Sequence, residues 1–505
     1  MSDRLDQGDS IGRNVAFSFA AQMVTSAATA ALTLYLVRAL GVEEFGSLSI
    51  ALGLGALILL PGDFGVSASA ARFMAERRGD WPAVAAVLRN ALRLKLITSG
   101  VLAAGLFALA DPIASAYSSA PGLAWALRGM AVVVFFQSFY MLFTASFQAL
   151  GRTALNLRVI TVESLVEAAM ATMLVLLGAG AAGAAFGRAI GYSAAVGFAL
   201  VLTIRLVGSS NFRGDTRSPV DSRRIFRYAG ALLIIDGAYA LLSPISTLLL
   251  GAFLNATAVG AFSAPIRFIV FLHYPGFSIA TGIAPRMVRG EKVEPDVKAL
   301  QSGLRWIILI QTVLVAPTVI WATPLVDLLL GSGYEQSAEV LAGLAPFTFM
   351  SGFAPLLSLS VNYLGEARRR VPIALATLAL SVGLDVALIP QIGIHGATIA
   401  TDVAYAFYVL GHLWICRSML DLPLRPVARD LARALLAALA MTGVLAAFGT
   451  SDLGPVDFVV GGAAGVLAYV VALLAMRAVT VPELRAARHT VAGKFRRSRP
   501  AAGAA

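Results

Sequence analysis

The sequence predicts an all-α protein that crosses a membrane fourteen times, and three observations predict it. The 505 residues are 58% hydrophobic and only 13% charged, about half the charged fraction of a soluble globular protein. Apolar segments recur from end to end, each long enough to cross a hydrocarbon core of about 30 Å as a helix. All but four of the 39 Lys and Arg fall on alternate connections and their adjoining helix ends, the asymmetry that marks a cytoplasmic side. The exceptions are Arg38, Arg128, Arg188 and Arg267. Both termini are therefore expected in the cytoplasm.

Taken in order, the spans fall at 14–37, 46–70, 82–110, 123–149, 156–178, 182–206, 225–251, 258–285, 300–322, 338–363, 371–390, 394–416, 428–448 and 456–478. The start, MSDRLDQGDSIGRN, is polar and the first apolar run is of full transmembrane length, so no cleavable signal peptide is expected. A lone cysteine, Cys416, leaves no intramolecular disulfide and no CxxC site. His273, His395, His412 and His489 match no zinc-ligand spacing, so no metal and no cofactor are expected. A net charge of +11 would suit nucleic acid, but its one-sided distribution argues for a membrane instead. The basic tail, 479–505, is expected to be disordered and drawn to anionic membrane lipids.

The chain repeats itself. At an offset of 214 residues, positions 33–72 align with 247–286 without a gap, and ten of the forty pairs are identical, among them Gly46/Gly260, Ser49/Ser263, Pro61/Pro275, Gly62/Gly276 and Arg72/Arg286. Spans 1–6 and 7–12 thus read as two copies of one unit. Six is even, so both copies enter the membrane from the same side and form parallel repeats. The expected organisation is an N-lobe at 1–206, a cytoplasmic connection at 207–224, a C-lobe at 225–416, an added pair of spans at 417–478 and the tail. Two facing bundles leave a cleft, and rocking one against the other gives alternating access. The repeated Pro-Gly pairs, Pro61–Gly62 and Pro275–Gly276, interrupt apolar spans at equivalent places. A proline bends a helix and frees a carbonyl, so each pair is either a packing kink or a moving hinge.

Four stretches carry a family resemblance: LVRALGVEEFGSLSIA (36–51), GVSASAARFMAER (65–77), FQALGRTALNLR (147–158) and PLVDLLLGSGYEQSAEVLAGL (324–344). With the six-plus-six repeat and two added spans, the chain resembles the polysaccharide transporters of the multidrug/oligosaccharidyl-lipid/polysaccharide exporter superfamily. The likeness covers nearly the whole chain and contains no catalytic signature. It implies a bacterial inner-membrane flippase for undecaprenyl-pyrophosphate-linked oligosaccharide, feeding O-antigen, capsule or exopolysaccharide assembly, with polysaccharide polymerase and export proteins as partners. It also implies that spans 1, 2, 7 and 8 line the cleft, and that 428–478 helps to hold a lipid tail.

Such a cargo needs cationic groups in a wet cleft, and Arg suits phosphate because its fork donates two hydrogen bonds. Arg267 and Arg188 lie within spans 8 and 6, where a charge faces either a cavity or a partner. Arg72 and Arg286, equivalent in the repeat, stand at the cytoplasmic mouth, and His273 joins them in span 8. Six carboxylates also lie within spans: Asp63, Asp236, Asp385, Asp402, and the pair Glu163 and Glu167, four residues apart on one helix face. Each either carries a coupling proton or sodium ion or neutralises an arginine. Arg188 and Asp402 fall at similar depth in equivalent spans.

Three other functions compete. A glycan polymerase or ligase would need a sizeable extramembrane segment, and the longest polar connection here is the short stretch at 207–224, so no enzyme is expected. GAGAAGAAFG (178–187) has the glycine spacing of a nucleotide loop but reads as close helix packing. A drug or small-metabolite exporter, and a lipid II flippase, both of the same superfamily, stay open.

Overall fold

The computed structural model describes residues 11–117, 120–213, 237, 240–288, 294–451, 453–480 and 483. Asp236, most of the 207–224 connection and the tail from 484 lie outside the described residues. All regular structure among the described residues is helical. The helices are α1 (Ile11–Asp63), α2 (Val66–Ala75), α3 (Trp81–Ala108), α4 (Ala110–Ser115), α5 (Leu123–Ala149), α6 (Thr153–Leu176), α7 (Gly180–Val207) and α8 (Ser209–Arg213), followed by α9 (Ala240–Phe253). Next come α10 (Ala256–Leu272), α11 (Tyr274–Ile283), α12 (Val297–Ile320), α13 (Ala322–Leu329), α14 (Glu335–Gly343), α15 (Ala345–Ser351) and α16 (Phe353–Tyr363). The last four are α17 (Arg370–Ile392), α18 (Ile394–Leu420), α19 (Leu424–Ala447) and α20 (Pro455–Ala475).

Eleven of the described helices or joined helices are long and apolar enough to span a membrane, and twelve if the pair Glu335–Gly343 and Ala345–Tyr363, bent by 51°, is one span. The protein is therefore a multi-span membrane protein. The longest helical element, α1, is two helices joined at a kink at Gly41, whose backbone (φ 71, ψ 174) is not helical. Only glycine adopts that geometry readily, so the chain turns between the first two apolar runs without a loop. The two sequence spans at 14–37 and 46–70 thus form one element with a sharp internal break.

The chain divides into two compact units. One comprises Met1–Phe268, Leu329–Val340 and Val371–Ala404; the other comprises Ile269–Leu328, Leu341–Arg370 and Tyr405–Ala505. In the first, α2, α3 and α5 bury a core that includes Val66, Phe73, Met74, Leu88, Phe139 and Phe143. In the second, Trp321 at the end of α12 is buried and donates its indole N–H to the carbonyls of Leu445 (3.2 Å) and Gly449 (3.0 Å). Its ring packs on Phe458 at 5.2 Å, and the Tyr469 hydroxyl donates to the Leu309 carbonyl at 2.9 Å. The final helix pair, α19 and α20, is thereby fixed to α12.

The repeat has a direct structural trace in the first unit. A side chain at Gly46 would run into the carbonyl of Ala256, and one at Gly260 into the carbonyl of Val42. Residues 42 and 256, like 46 and 260, are separated by 214 positions, so the two contacts exchange under the repeat. This is what an approximate two-fold axis between the copies produces. Replacing Gly46 or Gly260 with Val is expected to destabilise the protein by about 1–3 kcal/mol or more, because backbone must shift. Gly105 has open space around it, so Gly105→Ala should leave the thermal midpoint in detergent unchanged. Equal midpoints for all three variants would refute the close approach.

A clamp ties the chain beyond α20 to α12. Arg305 Nη1 donates to Glu483 Oε1 at 3.0 Å, and Nη2 donates to Glu483 Oε2 at 3.2 Å and to the Ala478 carbonyl at 2.6 Å. Thr480 N–H donates to Glu483 Oε2 at 2.8 Å. The Arg305 guanidinium, with the Thr480 N–H, pulls the Glu483 carboxyl down to about 2. A lowered carboxyl stabilises the fold above its ordinary range and loses that contribution only as pH falls through its folded value. Protection of the Thr480 amide from hydrogen exchange should thus persist from pH 7 to pH 4, and Glu483→Ala, which removes the acceptor, should abolish it.

Candidate functional site

The stretch PGDFG at 61–65 produces a broken helix with a neutralised charge. α1 ends at Asp63, Phe64 (φ 43) and Gly65 (φ 67) are left-handed, and α2 starts at Val66. The break strips Gly62's carbonyl of its helical donor, and Thr98 Oγ1 on α3 donates to it at 3.0 Å. Asp63 accepts from Ser67 Oγ at 2.5 Å and from Lys95 Nζ, and Lys95 also donates to Ser138 Oγ at 3.0 Å. Lys95 and Ser138 are 0% exposed and Asp63 9%. Asp63 is therefore one half of a buried ion pair linking α1, α3 and α5. Sequence position grouped Lys95 with the cytoplasmic charges; the structure corrects this, because fourteen residues of α3 precede it and its ammonium is buried. That depth, about 21 Å of helix, was the available signal.

A second cluster lies between α6 and α7. Gly187 and Gly191 on α7 leave no room for a Cβ against the backbone of Ala171 and Glu167 on α6, so the helices touch, as the small-residue reading of this region expects. Arg188 Nη1 then donates to Glu167 Oε1 at 2.9 Å, and Nη2 to the Tyr192 hydroxyl at 3.3 Å. Glu163 lies one helical turn before Glu167 on α6 and accepts from Ser164 Oγ at 3.1 Å. Tyr140 on α5 packs edge-on against Tyr192 at 5.2 Å. Arg188, Glu163 and Glu167 are thus brought together, while Tyr140 and Tyr192 are members that sequence reasoning missed.

Arg267, on α10, differs from Arg188. It is exposed. Among the described residues it has no hydrogen-bond or ion-pair partner. Asp385, on α17, is 0% exposed and accepts from Ser246 Oγ of α9 at 2.6 Å. Its other carboxylate oxygen is buried with no partner among the described residues. Asp402 is half-buried on α18. Arg38 donates from Nε to the Leu329 carbonyl at 3.2 Å, and Arg128 pairs with Asp111 at 2.6 Å.

In the second unit His273 sits at the junction of α10 and α11, with Pro275 in the first turn of α11. Its ring meets Phe347 edge-on at 5.7 Å, and Nε2 is buried without a partner among the described residues. From Phe347 an aromatic series runs through Tyr405 and Tyr408 to His412. His412 Nδ1 lies 2.8 Å from the Tyr408 carbonyl, and its Nε2 accepts from Arg370 Nε at 3.3 Å. Arg370 also donates to Asn362 Oδ1 at 2.8 Å. Nothing in the local sequence singles out this buried arginine. Gly276 packs without space for a Cβ against the Gly352 carbonyl, whereas a Cβ at Gly62 would make only ordinary contacts. Arg72 and Arg286 are exposed, paired with Glu76 at 3.2 Å and Asp296 at 3.8 Å.

Apolar spans broken at Gly65 and His273, with charges held inside them, define a polytopic membrane protein. The chain belongs to the polysaccharide biosynthesis protein family, which matches residues 11–291. Its fold is similar to that of "Lipid II flippase MurJ, inward closed conformation" (TM-score 0.73, 12% identity, 91% of this chain and 98% of that one). It is also similar to a multidrug resistance MATE family transporter of the MOP superfamily in its inward-facing conformation (0.63, 15%, 79% and 96%). A third likeness is to the MATE multidrug transporter DinF-BH (0.58, 15%, 82% and 98%). No curated protein matches the chain in sequence.

Proposed function

We propose that this protein is a flippase that carries undecaprenyl-pyrophosphate-linked oligosaccharide from the cytoplasmic to the periplasmic leaflet of a bacterial inner membrane, for surface polysaccharide synthesis. The observation that carries this reading is Arg267, an exposed cation within a membrane-spanning segment and without a described counter-charge, suited to a diphosphate. Arg72 and Arg286 would make first contact with the cargo, and Arg188, tied to Glu167, would set the field around it. His273 offers a further polar contact. Asp385, with one buried oxygen unpartnered among the described residues, and the adjacent carboxylates Glu163 and Glu167 are the sites for a coupling proton or sodium ion; Asp236 and Asp402 are further candidates.

In this reading α1 supplies two spans that meet at Gly41, α9 completes a span begun at 225, and the bent α14–α16 segment is one span. The count is then fourteen, with both termini cytoplasmic and the lobes at 1–206 and 225–416. Pro61–Gly62 beside the break at 64–65, and Pro275–Gly276 beside the break at His273, act as hinges. The MurJ-like fold favours one second reading, with lipid II as the cargo.

The test is reconstitution into liposomes containing either lipid-linked cargo, following the access of a membrane-impermeant reagent to the inner-leaflet glycan. Faster access with undecaprenyl-pyrophosphate-oligosaccharide is expected, and acceleration with lipid II alone would select the second reading. No acceleration with either, under an imposed proton or sodium gradient as well, would refute both and favour an exporter of soluble compounds.

A further inference from the structure

α19 carries an unpaired cationic stripe on the face turned away from its packing partners. Its buried residues are Asp430, Ala434, Ala437, Met441 and Leu445. Arg425, Arg429 and Arg433 follow one another at four-residue intervals, so each step moves about 6 Å along the axis and about 40° around it. Their shared face is about a quarter-turn or more from the buried one. Arg425 and Arg429 are exposed and Arg433 is half-buried. Among the described residues none of the three has an ion pair or hydrogen bond. The neighbouring carboxylate, Asp430, is turned into the protein.

The same face continues along the helix as Leu436, Ala440, Gly443 and Ala447. Leu436 is 57% exposed, the other three are exposed, and a Cβ on Gly443 would meet nothing within 4 Å. One helix face therefore presents three guanidinium groups at one end and a shallow apolar track of small residues beyond them. Arg433 is the tenth residue of α19, within the segment Leu424–Ala447 that is long and apolar enough to span a membrane. A guanidinium within an apolar span needs an anion or must extend back toward water.

We propose that this face of α19 binds an anionic phospholipid of the surrounding bilayer, its phosphodiester held by Arg425, Arg429 and Arg433 and an acyl chain lying along Leu436, Ala440 and Gly443. The arrangement matches such a lipid in order as well as in charge: phosphate at the arginine end, hydrocarbon over the small residues. It is independent of what the protein transports.

The experiment uses the full chain in nanodiscs of phosphatidylglycerol and phosphatidylcholine, with Cys416→Ala as background and a fluorophore at Ala440→Cys. A second label at Val460→Cys, on the exposed face of α20, is the reference. Brominated phosphatidylglycerol should quench the label at 440 more than brominated phosphatidylcholine does, and the two should quench equally at 460. Arg425→Gln, Arg429→Gln and Arg433→Gln together should abolish the preference, at about fivefold in local lipid association per arginine. The corresponding three Lys substitutions should keep most of it. Equal quenching by both lipids at 440 in the arginine-intact protein would overturn the proposal without reliance on any arginine variant. So would a preference that survives the Gln substitutions, or displacement of phosphatidylglycerol by trace undecaprenyl diphosphate, which would make the stripe a cargo site.

Discussion

Arg267→Ala is expected to lower transport of the lipid-linked oligosaccharide by about tenfold to a hundredfold and to leave the fold intact. The two halves of that expectation have separate grounds. Among the described residues Arg267 has no hydrogen-bond or ion-pair partner and it is solvent-accessible, so removing it breaks nothing visible in the fold. Substitutions of that kind shift stability by about 0.5 kcal/mol or less. Function is different, because a hydrogen bond to a charged group is worth about 1.5–3 kcal/mol, a factor of about ten to a hundred. The loss falls on a diphosphate only if one is bound there. Arg267→Lys keeps the charge and loses the fork, so it should recover part of the rate.

Arg188 provides the contrast. Its guanidinium is bound to Glu167 and Tyr192, so Arg188→Ala leaves a buried carboxylate pair with no cation and should cost stability as well as rate. The liposome assay with a thermal midpoint for each variant separates the two arginines. Full transport by Arg267→Ala would end the role assigned to it.

The spans were legible because hydrocarbon imposes a composition that no packing detail can disguise. Breaks were legible for the same reason, since Pro61–Gly62 and Pro275–Gly276 interrupt runs that are otherwise uniformly apolar. The proximity of Glu163 to Glu167 follows from helical spacing, and the approach of Arg188 from the glycines around it. What sequence could not supply were pairings set by how helices cross. Lys95 reaches Asp63 from another helix 32 residues away, and nothing in either local sequence points to the other. The Arg370–His412 contact, between residues 42 positions apart, is hidden in the same way. Gly41 was less legible: nothing in the sequence says that the two apolar runs meet at one non-helical residue rather than across a loop.

Lys95→Met is expected to destabilise the protein by about 3–5 kcal/mol, the usual cost of removing one partner from a buried ion pair. The variant leaves Asp63 as a carboxylate, 9% exposed, with Ser67 as its one remaining side-chain donor among the bonds described above. Asp63→Asn should cost a similar amount from the other side, since a neutral amide leaves the ammonium of Lys95, 0% exposed, without a counter-charge. The double variant should recover much of the loss, because two neutral groups of similar size need no counter-charge, and replacing a whole buried pair is often close to neutral. A double-mutant cycle on unfolding in detergent measures the coupling directly. A coupling of about 2 kcal/mol or more identifies the pair as the device that lets a charge and a broken backbone sit in an apolar span. Additive losses would mean that Asp63 and Lys95 are held separately, and Asp63 would return to being a carboxylate available to cargo or ion. Transport assays on the double variant then decide the remaining point: a stable protein that still moves its lipid shows that the pair serves the break at Phe64–Gly65, and a stable protein that does not shows that the pair opens during the cycle.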